Sequence, residues 1–197
     1  MNTLEIIKTR RSTRKFKPNA IESEDLNQII EAGRYAPSGG NSQTSHFIVI
    51  QNKEVLDQLA QLVCQEFAKM EIVEGMYKSM ASSIYQSKNG NYRFHYNAPC
   101  LIVMFNQESY SNNIADVSCC LENMMIMASA KDLGSVWINQ LKWLNENPVI
   151  VDYLSQFGVE KGEKVYGALA LGYPDTEDGK PNRTPLPRTG NKVTFVS

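Results

Sequence analysis

The spacing of apolar residues along the chain predicts helices that alternate with short strands. Asn2 and Glu5 are placed as in a capping box, which predicts a helix over residues 3–8. Ser23 is expected to cap a second helix, whose apolar residues recur at helical spacing and stop before Pro37. Further helices are predicted over residues 55–67, 113–131 and 148–157, and strands over residues 47–50, 101–105, 135–138 and 165–171.

Two of these segments indicate how the elements pack. Residues 113–131 are apolar nearly all round the helix, which indicates burial on more than one side, in a core or at a subunit interface. Gly134 is expected to end this helix, as glycine commonly does at a C-terminus. Residues 101–105 are wholly apolar, as in a strand that is covered on both faces.

Residues 70–97 and the tail after Pro174 are less regular. In the first segment, apolar residues from Ile72 to Ile84 recur every four positions on one face of a predicted helix, and a polar loop follows. In the tail, residues 193–196 are a candidate extra strand. The sequence shows no repeat and no linker, so one α+β domain over residues 1–197 is expected.

Composition excludes several classes of protein. A net charge of −1 argues against a general nucleic-acid binder. The most apolar stretch, residues 114–130, is interrupted by Asp116 and Glu122, which argues against a membrane span. Nothing at the start resembles a signal peptide, and a cytoplasmic location is expected. The four cysteines and two histidines lack metal-ligand spacing, so reduced, buried thiols and no metal site are expected.

The first candidate binding segment is the basic cluster of Arg10, Arg11, Ser12, Thr13 and Arg14. Three guanidinium groups and two hydroxyls within five residues suit a phosphate, because the guanidinium fork matches phosphate oxygens and adds positive charge. The alternative is a solvated basic turn that neutralises the C-terminal dipole of the first helix. Spacing alone leaves both interpretations open.

The second candidate is the loop that contains Pro37, Ser38, Gly39 and Asn41. Glycine allows the backbone to approach a flat ligand, and the serine and asparagine side chains offer hydrogen bonds. A surface loop between a helix and a strand is the alternative. A Walker loop is excluded, since the required Gly-Lys-Ser/Thr is absent from this segment.

The third candidate is the segment with Gly134, Ser135, Trp137, Asn139 and Gln140. Small residues followed by an aromatic ring and two amides can line an aromatic cofactor and hydrogen-bond to its edge. Trp137 also fits a plain core position.

The fourth candidate is the small-residue run 165–174, which implies close packing and a tight turn. In the tail that follows, Arg183 and Arg188 are both candidates to return to an anion.

A convincing nucleophile–base pair is absent from the sequence. His46 and His95 have no obvious serine or cysteine partner, and the acidic residues do not pair as in a glycosidase. A Gly-x-Gly-x-x-Gly motif after a strand is also missing. We therefore expect no catalytic side chain and favour a cofactor that carries the chemistry, to which the protein contributes binding and orientation.

Taken together, these four candidate segments resemble the motifs of the nitroreductase family of FMN enzymes. They occur in the family's order and across nearly the whole chain. The motifs are Arg10-Arg11-Ser12-x-Arg14, Ala36-Pro37-Ser38-x-x-Asn41-x-Gln43, Asp132-Leu133-Gly134-Ser135-Val136-Trp137 and Gly167-Ala168-x-Ala170-x-Gly172-Tyr173-Pro174.

The resemblance implies a nitroreductase-like α+β fold with a central, mainly antiparallel sheet flanked by helices. It also implies an intertwined homodimer with FMN at the subunit interface, in which residues 193–196 add a strand to the partner's sheet. Neither nucleic acid nor a membrane is an expected partner.

The resemblance further assigns roles to individual residues. The basic cluster would hold the FMN phosphate, and Pro37, Ser38, Gly39 and Asn41 would reach the flavin from the partner. Residues 134–140 would lie beside the flavin ring, and Asn91 is a looser match to an asparagine that touches it. Arg188 resembles the late basic residue that returns to the phosphate, with Arg183 as the alternative.

The activity implied by the resemblance is transfer of hydride from NADH or NADPH to a nitroaromatic, a quinone or a similar small acceptor, by a ping-pong mechanism. A flavin-binding or storage protein with little turnover remains an alternative. So does different flavin chemistry, such as dehalogenation or flavin fragmentation.

Overall fold

The computed structural model describes residues 2–196 and contains four strands and seven helices among them. The helices are α1 (Thr3–Thr9), α2 (Ser23–Arg34), α3 (Lys53–Ala68), α4 (Lys78–Lys88), α5 (Asn113–Ala130), α6 (Gln140–Trp143) and α7 (Pro148–Ser155). The strands are β1 (His46–Ile50), β2 (Cys100–Gln107), β3 (Gly134–Ile138) and β4 (Glu163–Gly172). A short 3₁₀ turn covers Gly39–Asn41.

The strands form one antiparallel sheet in the order β1-β2-β4-β3, which confirms the predicted fold class. Helices cover both faces of the sheet. Along β2, Leu101, Val103 and Phe105 face the core shared with α3 and α7, while Ile102 and Met104 face the core shared with α2 and α5. This double burial explains why the strand is apolar at successive positions.

Helix α5 packs on α2 and on the sheet through fully buried residues such as Leu121 and Met124. The approach depends on Gly33 of α2, where a Cβ atom would lie 2.9 Å from Met124 Cγ. The opposite side of α5 remains exposed in the single chain, at Ile114 and Cys119. The dual burial predicted from its apolar composition is therefore only half satisfied within one chain.

The structure corrects several predicted boundaries. Ser23 is the first residue of α2, and Glu22 occupies the N-cap position without a side-chain cap. Helix α5 ends at Ala130 rather than at Gly134, because Asp132 adopts a left-handed φ of 57° and turns the chain into β3.

The predicted helix around Ile72 is also wrong in its first half, and the four-residue α6 was not predicted. Gly75 has a φ of 79°, which a helix cannot accommodate, so α4 begins only at Lys78 and Ile72 is 47% exposed. Helix α6 is too short to show a period.

The four cysteines are free thiols, in agreement with the absence of paired spacing. Cys100 and Cys120 are buried as expected, but Cys119 is exposed on α5. None of the helices in residues 2–196 is long and apolar enough to span a membrane. Within the same residues, no group of three His, Cys, Asp or Glu side chains is arranged to hold a metal ion.

The tail after β4 runs along the surface and is held by two arginines. Arg183 Nη2 donates to the Ser129 carbonyl oxygen at 2.6 Å and to Asp132 Oδ1 at 2.5 Å. Arg11 Nη1 donates to the Thr184 carbonyl oxygen at 2.8 Å. In the single chain residues 193–196 form no strand, and Phe195 is 93% exposed. Their pairing with a partner's sheet stays a prediction.

A buried histidine makes the stability of this fold sensitive to acid. Burial lowers the pKa of His95 from 6.5 to about 4, with the positive charge of Arg93 contributing. The unfolded chain therefore takes up a proton near pH 6.5 that the folded chain takes up only near pH 4. Because of His95, we expect the free energy of unfolding to fall by about 2 kcal/mol as the pH falls from about 7.5 to about 5. Urea unfolding of wild type and His95→Gln at both pH values measures this, and an equal acid-induced loss in the two proteins would contradict it.

Candidate functional site

The basic cluster lies against the outer edge of β3. The Thr13 amide donates to the Ser135 carbonyl oxygen at 3.0 Å, and Ser12 forms a parallel bridge with Ser135. This contact requires Gly134, because a Cβ atom there would lie 2.6 Å from Thr13 Cγ2. The structure thus brings the first and third predicted segments together.

The remainder of this strand edge is open. β3 is the last strand of the sheet, and residues 12 and 13 cover only its beginning. In a strand, the peptide groups of residues i and i+2 point to the same edge. Because the Ser135 carbonyl faces outward toward Thr13, the N–H and C=O groups of Trp137 face the same outer edge. They are positioned to hydrogen-bond to a ligand that lies along β3.

A cleft of about 300 Å³ follows this open edge. The lining residues are Arg14, Tyr77, Ser79, Tyr96, Val136, Trp137, Ile138, Asn139, Gln140 and Trp143. The Arg14 guanidinium carbon lies 5.9 Å from the centre of the Tyr96 ring. Tyr77 and Trp143 meet edge to face with their ring centres 6.0 Å apart. We call this the β3 cleft: it has a cation at one end and an aromatic wall.

Trp137 lines the cleft, and its side chain is half-buried. It packs among the core residues beneath α5, and its Nε1 lies 3.2 Å from the Cβ position of Gly167. Nε1 donates to Asn139 Oδ1 at 2.9 Å, which fixes the turn after β3. The ring of Trp137 thus packs against the core, while its backbone faces the open edge, and its contact with a flavin stays a prediction.

The side-chain amide of Gln140 forms its hydrogen bonds within the protein. Gln140 Nε2 donates to the Tyr92 hydroxyl at 2.7 Å and to Ser83 Oγ at 3.2 Å, and its Oε1 accepts from the Asn139 amide. The side chain is 8% exposed, and burial raises the pKa of Tyr92, which keeps the phenol protonated. Gln140 thus positions Asn139, whereas its sequence position alone suggested direct ligand contact.

The loop with Pro37, Ser38, Gly39 and Asn41 lies elsewhere in the single chain. The Gly39 amide donates to Asp116 Oδ1 at 3.1 Å, so the loop is fastened to the start of α5. Asn41 is exposed at a left-handed φ of 56°, a conformation that costs energy outside glycine and is common at functional sites. None of these loop residues lines the β3 cleft of the same chain.

Asn91 and the two tail arginines also stand apart from the cleft. Asn91 is exposed and lines a different depression, beside α3. Arg183 holds the tail on Ser129 and Asp132, as described above. Arg188 is exposed, and its Nη1 donates to the nearby Leu186 carbonyl oxygen at 3.3 Å.

Sequence reasoning missed the aromatic wall of the cleft. Tyr77, Tyr96 and Trp143 come from three separate segments and meet only in the folded chain. The one local signal is the run of aromatic residues Tyr92, Phe94 and Tyr96 before β2; in the fold Tyr92 and Phe94 are buried, and Tyr96 lines the cleft.

Comparison with known proteins identifies the family of this chain. The family model described as Nitroreductase family matches residues 7–173. The crystal structure of a nitroreductase with bound FMN from Bacteroides fragilis has 34% sequence identity and a TM-score of 0.86, with all of both chains covered. A candidate NADH dehydrogenase/NAD(P)H nitroreductase from Archaeoglobus fulgidus is 26% identical, over 88% of this chain and 86% of the relative. An iodotyrosine deiodinase from Thermotoga neapolitana is 27% identical, over 90% of each chain.

The family model spans most of the chain, and these relatives match it nearly end to end. The chain belongs to the nitroreductase family.

Proposed function

We propose that this protein is an FMN-dependent oxidoreductase that takes hydride from NADH or NADPH and passes it to a small aromatic acceptor, such as a nitroaromatic or a quinone. The observation that carries the proposal is the docking of the arginine segment on the open edge of β3. The FMN-bound relative from Bacteroides fragilis and the relatives named for NAD(P)H support it.

The order of the hydrogen-bonding groups along the chain matches the two ends of FMN, its phosphate and its ring. Arg10, Arg11 and Arg14 supply positive charge and guanidinium donors for a phosphate. The outward N–H and C=O groups of Trp137 then offer a donor and an acceptor to the polar edge of a flat ring. The site would leave one face of that ring open toward Tyr77 and Trp143.

When bound, FMN supplies the ring that accepts and donates hydride, so the protein needs no acid or base of its own. The arginines hold the phosphate, and the Gln140–Asn139 contact keeps the strand edge in place. The aromatic wall gives a planar reactant a surface to stack on. We infer that the nicotinamide and the acceptor occupy this same opening in turn, which is the ping-pong order.

We further propose that the active form is a homodimer. Leu4 and Ile7 of α1 are 59% and 44% exposed, and they extend the uncovered apolar side of α5. Among residues 2–196, no strand pairs with the outer edge of β1, and proteins normally cover such an edge. A partner's residues 193–196 would cover it, and the partner's Pro37–Asn41 loop would reach the β3 cleft. Arg188 is exposed, so it is the tail arginine that we assign to the FMN phosphate, since Arg183 is already engaged within the chain.

The relative that is an iodotyrosine deiodinase supports a second candidate, reductive dehalogenation of an aromatic substrate at the same cleft. Both proposed reactions use the same FMN site in a cytoplasmic protein, and they differ in the molecule that accepts the hydride. Product analysis with a nitroaromatic and with a halogenated phenol separates them.

The phosphate contact is tested by Arg14→Gln. Loss of one charge-assisted hydrogen bond to the phosphate is expected to weaken FMN binding about tenfold, as measured by quenching of flavin fluorescence. Arg10→Gln is the second variant, because Arg14 also contacts Tyr96, whereas Arg10 lies 4.0 Å from Glu122 instead. Lys161→Gln, at an exposed lysine between α7 and β4, is the matched control and should bind as wild type. Unchanged affinity in both arginine variants would remove the phosphate assignment.

Anaerobic addition of NADH or NADPH tests turnover separately from binding. The open ring face implies that the flavin absorption band is bleached, and that a quinone added afterward restores it. Reduction by dithionite is the control that the bound flavin is redox-active. If dithionite bleaches the flavin band but NADH and NADPH do not, a flavin-storage protein is favoured instead.

A further inference from the structure

A second cavity of about 270 Å³ lies outside the β3 cleft. We call it the flanking cavity, and it is bounded by the start of α3, the segment after the arginine cluster and residues 93–99. Its apolar lining comes from Pro18, Ala20, Leu56, Ala98 and Pro99. It shares no lining residue with the β3 cleft. Its volume approaches the lower end of the range for small-molecule sites.

One side of the flanking cavity carries a net positive charge. Asp57 pairs with both Lys53 and Arg93, which leaves one positive charge in excess. Hydrogen bonds from Lys53 and then Arg93 lower the pKa of Asp57, so its carboxylate stays ionised. The nearby His95 is neutral at pH 7, since burial lowers its pKa to about 4. The remaining charge suits a single anionic group.

Arg93 is held in a fixed orientation at this cavity. Its Nε donates to Asn97 Oδ1 at 2.7 Å, and its Nη2 donates to Asp57. Among residues 2–196, Nη1 has no hydrogen-bond partner. A guanidinium that is fixed on two sides loses little entropy when it binds a carboxylate through the third nitrogen.

A strained turn joins the flanking cavity to the β3 cleft. Tyr96 and Asn97 both have left-handed φ values, of 57° and 56°. Such residues cost of order 1–3 kcal/mol each and persist where the surroundings hold them. Tyr96 lines the β3 cleft below Arg14, while Asn97 and Arg93 line the flanking cavity. A ligand on Arg93 therefore lies beside Asn97, the residue that directly follows Tyr96 of the cleft wall.

We propose that the flanking cavity is a second binding site, which takes a small monocarboxylate with an apolar body. The carboxylate pairs with Arg93 Nη1, and the apolar body packs against Leu56 and the two prolines. The site is separate from the FMN site, so its occupancy does not depend on the proposed redox function. Through residues 93–97, the bound acid contacts the segment that presents Tyr96 to the cleft.

Ligand-observed NMR on the FMN-saturated protein tests this site, with benzoate as the probe. Benzoate is expected to bind, and neutral benzamide about tenfold more weakly, because it lacks the charge that pairs with arginine. Arg93→Gln should weaken benzoate binding by a similar factor. Ala20→Trp, at an exposed position on the rim, should block the cavity without disturbing the core. Lys161→Gln, near the opposite end of the sheet, is the matched control and should retain binding.

Three results would overturn the proposal. One is the lack of any benzoate signal with wild type at millimolar concentrations. Another is binding that survives both Arg93→Gln and Ala20→Trp. The third is benzoate that is displaced by NADH in competition, which would assign the signal to the β3 cleft. None of these results bears on whether the protein binds FMN, so the two proposals fail separately.

Discussion

The candidate site depends on the contact between residues 12–13 and the first residues of β3. The Thr13–Ser135 hydrogen bond fixes the arginine segment beside the strand, and only glycine at position 134 allows the backbones to come so close. The contact occupies just the start of the strand edge. Arg14 therefore lines the cleft beside an open row of backbone groups, with Arg10 and Arg11 in the same segment, and this combination suits a phosphate joined to a flat polar ring.

The two-sided sheet explains why this edge is rigid. β3 is held by β4, which in turn pairs with the fully buried β2 between the two cores. Behind the strand, Gln140 ties the turn at Asn139 to Tyr92 and Ser83. A site built on such a strand keeps its geometry better than one built on loops alone.

The same chain leaves surfaces that a monomer does not satisfy. The exposed side of α5, the apolar residues of α1 and the free edge of β1 all belong to regions that proteins usually cover. The Pro37–Asn41 loop is fastened to α5 and stays away from the β3 cleft of its own chain. The proposed second copy would cover these surfaces together, which is why the proposed site is a shared one.

Local patterns predicted most elements because they act over a few residues. The capping box at Asn2 and Glu5 forms as expected, and the apolar run around Val103 is the doubly covered strand. The family resemblance also predicted that the basic cluster and β3 share one site, and the structure brings the two segments into contact. The roles of Gln140 and Arg183 depend on tertiary contacts that no local pattern shows. Gln140 hydrogen-bonds within a buried network, and Arg183 binds Ser129 and Asp132. The left-handed Gly75 makes α4 begin later than its apolar spacing predicts.

The central claim is that the arginines of one segment and the edge of β3 clamp one FMN in a cleft completed by a second copy. A crystal structure of the purified protein grown with FMN tests it most directly. The account predicts phosphate oxygens within about 3.2 Å of guanidinium nitrogens of Arg10, Arg11 or Arg14. It also predicts the flavin edge along Trp137 and a partner's loop over the ring. A phosphate held elsewhere, or FMN enclosed by a lone chain, would contradict it.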